Sequence, residues 1–284
     1  MSDRLRHLLL ARIGLDAAPP PDADGLRTVH RAFVSTIPYE NLTVQLGESG
    51  PLEPGALCER VLAGGRGGYC FEINTVLLTL LESLGFSVER RHGVVGARDA
   101  HANGEPTNHM ALVATTPAGE RFLVEAGWGE GSLDPFPLRE GEVRSGPFAW
   151  TLERDGEGWW VQQHEHGSSP GFHFGDEPAS LADFAPHHRR LSTDPESAFV
   201  RILVVEQPRE DRIVTLRSRT LSASGPEVRE SRVLADSDDL AAVLGEEFGI
   251  DAAALGEERL GRLWSNAVAQ HEVYLAEKAP DAAG

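Results

Sequence analysis

Two cysteines occur in this 284-residue chain, and one of them, Cys70, stands in the stretch RGGYCFEIN, residues 66–74. The glycine pair Gly67-Gly68 followed by an apolar-periodic run places Cys70 at or just inside a helix N-terminus. Unpaired backbone N–H groups and the positive end of the helix dipole favour an anion there. A thiolate is such an anion, and helix N-termini lower cysteine pKa values. Arg66 adds a positive charge to the same segment. Free cysteines are also common as inert core residues, so position alone leaves nucleophile and core filler both open.

A nucleophilic thiol needs a base, normally histidine, and that histidine needs an orienting acceptor. Of the 11 histidines, His109 opens the apolar run HMALVATT after the polar turn GEPTN. The next run, ERFLVEAGWG, carries Glu125 among nonpolar neighbours, where an unpaired carboxylate is costly. If the two runs form a hairpin across TTPAG, a register whose paired numbers have an even sum sets His109 and Glu125 on one sheet face. An odd sum separates them. These residue types would make a Cys-His-carboxylate site, and their spacing by itself leaves that undecided.

The elements that must position these groups change character along the chain. The first third predicts helices. MSDRLRHLLLARIGL would turn Leu8, Leu9, Ile13 and Leu15 inward, and VHRAFVSTIPYENL is helical until Pro38 interrupts it. GALCERVLAGGRGG ends in glycines. FEINTVLLTLLESLGF sets Phe71, Val76, Leu77, Leu80, Leu81 and Leu84 on one broad face and stops at Gly85. From about Ser87 the period becomes two, and SVERRHGVVGAR, NHMALVATT, ERFLVEAGWG and WWVQQHEH predict strands between turns. ASLADFAPHHRRLSTDPESAF predicts a helix and a connecting loop, FVRILVVEQP and DRIVTLRSRTL predict strands, and DDLAAVLGEEFGI and EERLGRLWSNAVAQHEVYLAEK predict helices.

A chain of 284 residues exceeds what one core usually supports, which predicts two or three domains. The formal charge of −18 argues against a nucleic-acid partner, since polyphosphate requires a basic surface. The LLLA run is too short for a membrane span, and no small-residue cleavage site follows it. Two cysteines make no disulfide framework, so both thiols are expected free in a reducing cytoplasm. Cys58, on an apolar helix face, reads as buried and inert. His187-His188 and His164-Glu165-His166 lack zinc-like companions and read as solvated surface, so no metal site is expected.

Arg66, Gly67, Gly68, Cys70, Glu72 and Asn74 fill every specified place of an Arg-Gly-Gly-x-Cys-x-Glu-x-Asn run, and by it the chain resembles the arylamine N-acetyltransferases. IPYENL at 37–42, NHMALV, FLVEAGWGEG and STDPESAFV resemble further elements of that family, in order. The resemblance implies an α+β, three-domain fold of the cysteine-protease-like or transglutaminase-like kind. A helical bundle over 1–87 would carry the cysteine, a β-barrel over 88–190 the histidine and carboxylate, and an α/β lid would follow over 191–284. It implies that Cys70 takes an acetyl or other acyl group from acyl-CoA as a thioester and passes it to an aromatic amine or hydrazine in a ping-pong cycle. His109 would activate the thiol and Glu125 would fix its tautomer. Gly127, Trp128 and Gly129 would meet CoA, a co-substrate with no permanently bound cofactor beside it. Tyr39 and Phe199 would line the acceptor pocket, while Arg66, Glu72 and Asn74 support the cysteine loop.

Two departures stand out. The family has aspartate where this chain has Glu125; the extra methylene moves the carboxylate by about 1.5 Å, and a misplacement of that order near the chemistry costs about 10²-fold. Glutamate nonetheless serves as the orienting acid in some triads, and Asp134, beyond the glycine loop, is a poor substitute. Glu130 puts a negative charge in the loop, Gly127-Gly129-Gly131, that resembles the receiver of the CoA pyrophosphate. Two other readings compete. One is a CoA-independent amide synthase that takes a polyketide chain from a carrier protein; the other is a non-catalytic binding homologue.

Overall fold

The helix Cys70–Ser83 begins at the cysteine itself, and its residues from Cys70 through Leu78 are all buried. A helix surrounded in this way sits at the centre of a core. In the computed structural model, which describes residues 1–278, the helices Asp3–Arg12, Ala23–Thr36 and Pro54–Leu62 pack around it. Gly85, at φ 98°, turns the chain away at its end, a left-handed conformation that suits glycine. Leu9, Leu10 and Ile13 face this core, whereas Leu8 is 41% exposed. The expectation that Leu8 turns inward is therefore corrected: the buried stripe runs through positions 9 and 13, about 100° of helix rotation away from Leu8.

Beyond Ser87 an eight-stranded antiparallel sheet rolls into a nearly closed barrel. Its spatial order is Phe136–Pro137, Arg121–Val124, His109–Thr115, Ser87–Val95, Gly171–Ala179, Gly158–Gln162, Phe148–Arg154, Gly141–Ser145. Both faces of the histidine strand are covered. Met110, Leu112 and Ala114 pack on the helices, while Ala111 and Val113 point into the barrel with Trp150, Phe172 and Phe174. This explains why HMALVAT is continuously apolar rather than alternating. The run ERFLVEAGWG is strand only through Val124 and loop from Glu125 onward.

A second sheet has five strands, in the order Tyr39–Glu40, Val204–Pro208, Ile213–Arg217, Thr220–Ser224, Arg229–Val233. The helices Ser237–Glu246, Ala252–Leu255 and Glu257–Lys278 cover it. Two expected strands are altered. FVRILVVEQP starts as a helical turn, Ala198–Arg201, because the Ser197 hydroxyl caps it, and extends only from Val204. DRIVTLRSRTL divides into a hairpin at Ser218, whose φ of 51° turns the chain. Tyr39–Glu40 pairs with Val204–Pro208, and Leu42 and Leu46 lie in the core of this second sheet. The N-terminal part thus supplies an edge strand to the C-terminal part, which sets Tyr39 opposite Glu206. Residues 279–284 of the expected lid lie outside the described residues. No helix among the described residues is long and apolar enough to cross a membrane.

Candidate active site

The glycine pair before Cys70 answers to space. A Cβ on Gly67 would lie 1.8 Å from the Pro38 carbonyl oxygen, and one on Gly68 would lie 2.7 Å from Arg60 and 2.8 Å from Glu72 Cβ. The loop is pressed between neighbouring chain segments, and it delivers Cys70 to the first turn of its helix. Cys70 is 2% exposed. Burial first, and then the charge of Glu125, push its thiol above the ordinary value, against the pull of the Phe71 and Met110 backbone N–H groups. The helix N-terminus therefore does not win, contrary to the sequence expectation: desolvation of the anion outweighs the helix dipole. The thiol donates to the Asn108 carbonyl at 3.5 Å, and no Cys70–His109 hydrogen bond occurs among the described residues.

Arg66 does not help the thiol either. Its Nε donates to the buried Glu40 at 2.8 Å and its Nη2 to Thr43 Oγ1 at 2.9 Å, so its charge is matched elsewhere. Against the cost of burial, Arg66 holds the Glu40 carboxyl below its ordinary value. Glu72 pairs with Arg60 at 2.8 Å, and these two ion pairs brace the loop from behind.

His109 and Glu125 meet. The hairpin register pairs Leu112 with Val124, and one further step sets Glu125 opposite Ala111, on the face that His109 shares. His109 Nε2 lies 2.9 Å from Glu125 Oε2. A carboxylate only accepts, so Nε2 carries the proton and Nδ1 is left with its lone pair. Glu125 Oε1 accepts from Asn74 Nδ2 and from the Gly127 N–H, both at 2.7 Å. Asn74, one helical turn beyond Cys70, also donates to the Met110 carbonyl at 2.6 Å and accepts the Ala126 N–H at 3.0 Å. Cysteine helix, histidine strand and carboxylate loop are thus tied at one amide.

Sequence reasoning missed His30. The Glu125 N–H donates to its Nε2 and its Nδ1–H donates to the Leu133 carbonyl, each at 2.9 Å. Burial lowers its pKa, so a neutral ring bridges both ends of the carboxylate loop. Its sequence signal was a lone polar residue on the apolar face of VHRAFV. Asn108 was missed too: its side chain bonds both backbone groups of Val95 and so aims its carbonyl at Cys70.

Cys70 and His109 open on a cavity of about 380 Å³ that Tyr39, Gly127, Trp128, Gly129 and Phe199 also line. Arg66, Glu72 and Asn74 lie behind its wall. A Cβ on Gly127 would stand 2.7 Å from Cys70 Cα and 2.7 Å from Asn74 Nδ2. Trp128 packs edge-on against Phe172 at 4.9 Å, and Phe199 lies 5.0 Å from Tyr69. Glu130, expected to face phosphate, turns its carboxylate to the Ser168 N–H at 2.9 and 2.8 Å. Asp134 accepts from Ser145 at 2.6 Å and takes no part in the histidine contact.

Other sequence candidates fall elsewhere. Cys58 is buried, and burial raises its thiol to about 11. His188 and His164 are each only 6% exposed, which corrects the solvated-surface reading. His188 bonds Tyr69 and the Gly50 carbonyl, and His164 packs on Phe148 and Trp150. Among the described residues, metal-type ligands gather at His101, Asp155 and His173. The two imidazoles there stack 3.5 Å apart at 1°, and parallel rings so close do not aim both lone pairs at one ion.

Comparison with known proteins yields consistent neighbours. A family model described as N-acetyltransferase matches residues 22–255. An arylamine N-acetyltransferase of Mycolicibacterium smegmatis is 34% identical over 254 residues, 87% of this chain and 92% of that one. A solved structure of the M. smegmatis arylamine N-acetyltransferase aligns with TM-score 0.82 at 31% identity, covering 90% of this chain and 96% of the other. The Mycobacterium marinum arylamine N-acetyltransferase in complex with CoA aligns with TM-score 0.81 at 29% identity, over 91% and 97% of the two chains.

Proposed function

This chain belongs to the arylamine N-acetyltransferase family, and on that premise we propose that it transfers an acyl group from acyl-CoA, through a thioester on Cys70, to an aromatic amine or hydrazine. The observation that carries this reading is the ordered contact of Glu125 with His109 Nε2 at 2.9 Å beside a cavity that Cys70 and His109 share. With Nε2 protonated, Nδ1 is the free base of the ring.

The raised thiol pKa means that Cys70 waits as a thiol on the Asn108 carbonyl. Rotation of its Sγ toward His109 lets Nδ1 take the proton as sulfur attacks the acyl carbonyl. The imidazolium, stabilised by Glu125, returns that proton to the departing CoA thiolate. The amine then enters the same cavity, attacks the thioester carbonyl and gives a proton to Nδ1, and Cys70 leaves and is reprotonated. The CoA-bound M. marinum neighbour supports acyl-CoA as the donor. Trp128 and Gly129 line the cavity and would meet it, with Tyr39 and Phe199 around the acceptor. A helical bundle over 1–87, a barrel over 88–190 and a lid from 191 onward would supply nucleophile, base and cover. A reducing, cytoplasmic setting would keep Cys70 available as a thiol.

The test is intact-mass measurement after incubation with acetyl-CoA, followed by addition of an arylamine. One acetyl group should appear on the wild type, vanish on addition of amine and be absent from Cys70→Ala. Undiminished acetyl transfer by Cys70→Ala would sink the proposal.

A further inference from the structure

The cavity holds a carboxyl that thioester chemistry does not use. On the strand Val204–Pro208, Val205 packs into the core of the five-stranded sheet, while Val204 and Glu206 face the cavity. The Glu206 side chain is 9% exposed, and the nearest cation, Arg217 Nη2, stands 3.9 Å from Oε1. It accepts no hydrogen bond among the described residues. Glu130 lines the cavity too, but its oxygens are occupied by Ser168. Burial, and then Glu130, push the Glu206 carboxyl up to about 8. A buried carboxyl short of a donor is costly unless something supplies one.

Glu206 and the nucleophile line one cavity. A Cβ on Gly127 would touch Cys70 Cα at 2.7 Å, and one on Gly129 would lie 2.4 Å from Glu206 Oε2. Gly127 and Gly129, two residues apart in one loop, thus stand beside the nucleophile and beside the carboxyl. Tyr39, paired with Glu206 across the sheet, walls the space between them.

We propose that Glu206 determines acceptor specificity: it receives the cationic group at the far end of an arylamine whose reacting nitrogen lies at Cys70, so the enzyme selects arylamines bearing a basic para substituent over those bearing a carboxylate. This rests on the proposed acyl transfer, because the acceptor must enter the cavity where the thioester forms. Glu206 touches the distal end of the acceptor and takes no part in bond making.

The test compares three anilines of equal shape under acetyl-CoA at about pH 8.5, where the Glu206 carboxyl is largely ionised: 4-(dimethylaminomethyl)aniline, which is cationic, 4-isobutylaniline, which is neutral, and 4-aminophenylacetate, which is anionic. Wild type should prefer the cation over the neutral isostere by about tenfold, as one desolvated charge contact provides. Glu206→Gln and Glu206→Ala should erase most of that ratio, chiefly through KM, and should improve the anion. Acetylation of Cys70 is followed by intact mass in the same samples. Wild type that never acetylates overturns the acyl-transfer reading and this inference with it. Wild type that acetylates but favours the anion, or whose cation-to-neutral ratio moves by less than about twofold in both variants, overturns the role of Glu206 alone.

Discussion

Glutamine in place of Glu125 keeps the shape of the side chain and removes one acceptor and the charge. Oε1 accepts two N–H groups, from Asn74 and Gly127, each at 2.7 Å, while Oε2 meets His109 Nε2 at 2.9 Å. The amide has two orientations. With its NH2 toward Asn74 and Gly127, two donors face two donors in a buried site, at about 1–3 kcal/mol for each unmet group. With its NH2 toward His109, both of those bonds survive and only the histidine contact changes, so this orientation wins. His109 Nε2 must then accept, its proton moves to Nδ1, and the nitrogen that should take the Cys70 proton is blocked. The base is lost through its tautomer, with the fold intact.

Wrong-tautomer variants of serine-protease triads lose about 10⁴ in turnover, and a loss of that order is expected for Glu125→Gln, with about 1–3 kcal/mol of stability from the lost charge-assisted bond. Glu125→Asp keeps the charge and withdraws the carboxylate by about 1.5 Å, so it should fall between, near 10²-fold. The assay is stopped-flow release of p-nitrophenol from p-nitrophenyl acetate in single turnover, paired with iodoacetamide alkylation of Cys70 across pH. Glu125 is one of the groups that raise the thiol, so alkylation in Glu125→Gln should proceed at lower pH than in wild type. A Glu125→Gln enzyme that acylates within about tenfold of wild type, with an unchanged alkylation profile, would refute the tautomer argument.

Three further outcomes follow from local geometry. Gly127→Ala should lower acylation by about 10²-fold or more, because a Cβ there meets Cys70 Cα and Asn74 Nδ2 at 2.7 Å and neither is a flexible end; single-turnover acylation measures it. His30→Phe leaves the buried Glu125 N–H and Leu133 carbonyl unpaired, at about 1–3 kcal/mol each, and should lower both Tm and acylation. Since burial lowers the His30 pKa, its contribution to stability is whole above the ordinary 6.5 and is lost as pH falls below it; wild-type Tm should decline over that range more steeply than that of His30→Phe. Cys58, raised from 9.0 to about 11 by burial and then Glu53, contributes stability that is complete below about 9 and lost toward about 11; the alkaline decline of Tm should be shallower in Cys58→Ala.

Much of this site was legible because it is built from local signals. The glycine pair and the apolar run at 70–84 locate Cys70 on a helix start, and a carboxylate inside FLVEAGW advertises a buried partner. The face shared by His109 and Glu125 required only a register with an even sum, and the pairing of Leu112 with Val124 is one. Effects that depend on distant segments were not legible. The thiol pKa is set by how completely other elements enclose Cys70, so the local argument from the helix dipole predicted the wrong direction. Arg66 turned to Glu40, across 26 residues of sequence, and His30 reaches Glu125 across 95. The strands Gly141–Ser145 and Gly171–Ala179 escaped because exposed charges and glycines interrupt their alternation, whereas Phe148–Arg154 alternates regularly and was legible but unread. Glu206 sits in LVVEQP as Glu125 sits in FLVEAGW, and the same signal should have singled it out.

The acid at position 125 is held on every side by its surroundings. Its Oε1 turns back to the N–H of Gly127, two residues along its own chain, and Asn74 holds the same oxygen from the cysteine helix. That return fixes one oxygen while the other stays at 2.9 Å from His109. The arrangement demands a glycine at 127, where a Cβ would meet Cys70, and a fixed backbone at 125, which His30 supplies through the Glu125 N–H. Glutamate, Gly127, Asn74 and His30 therefore form one interdependent set. Substituting aspartate alone would withdraw the carboxylate from neighbours that are placed for the longer side chain.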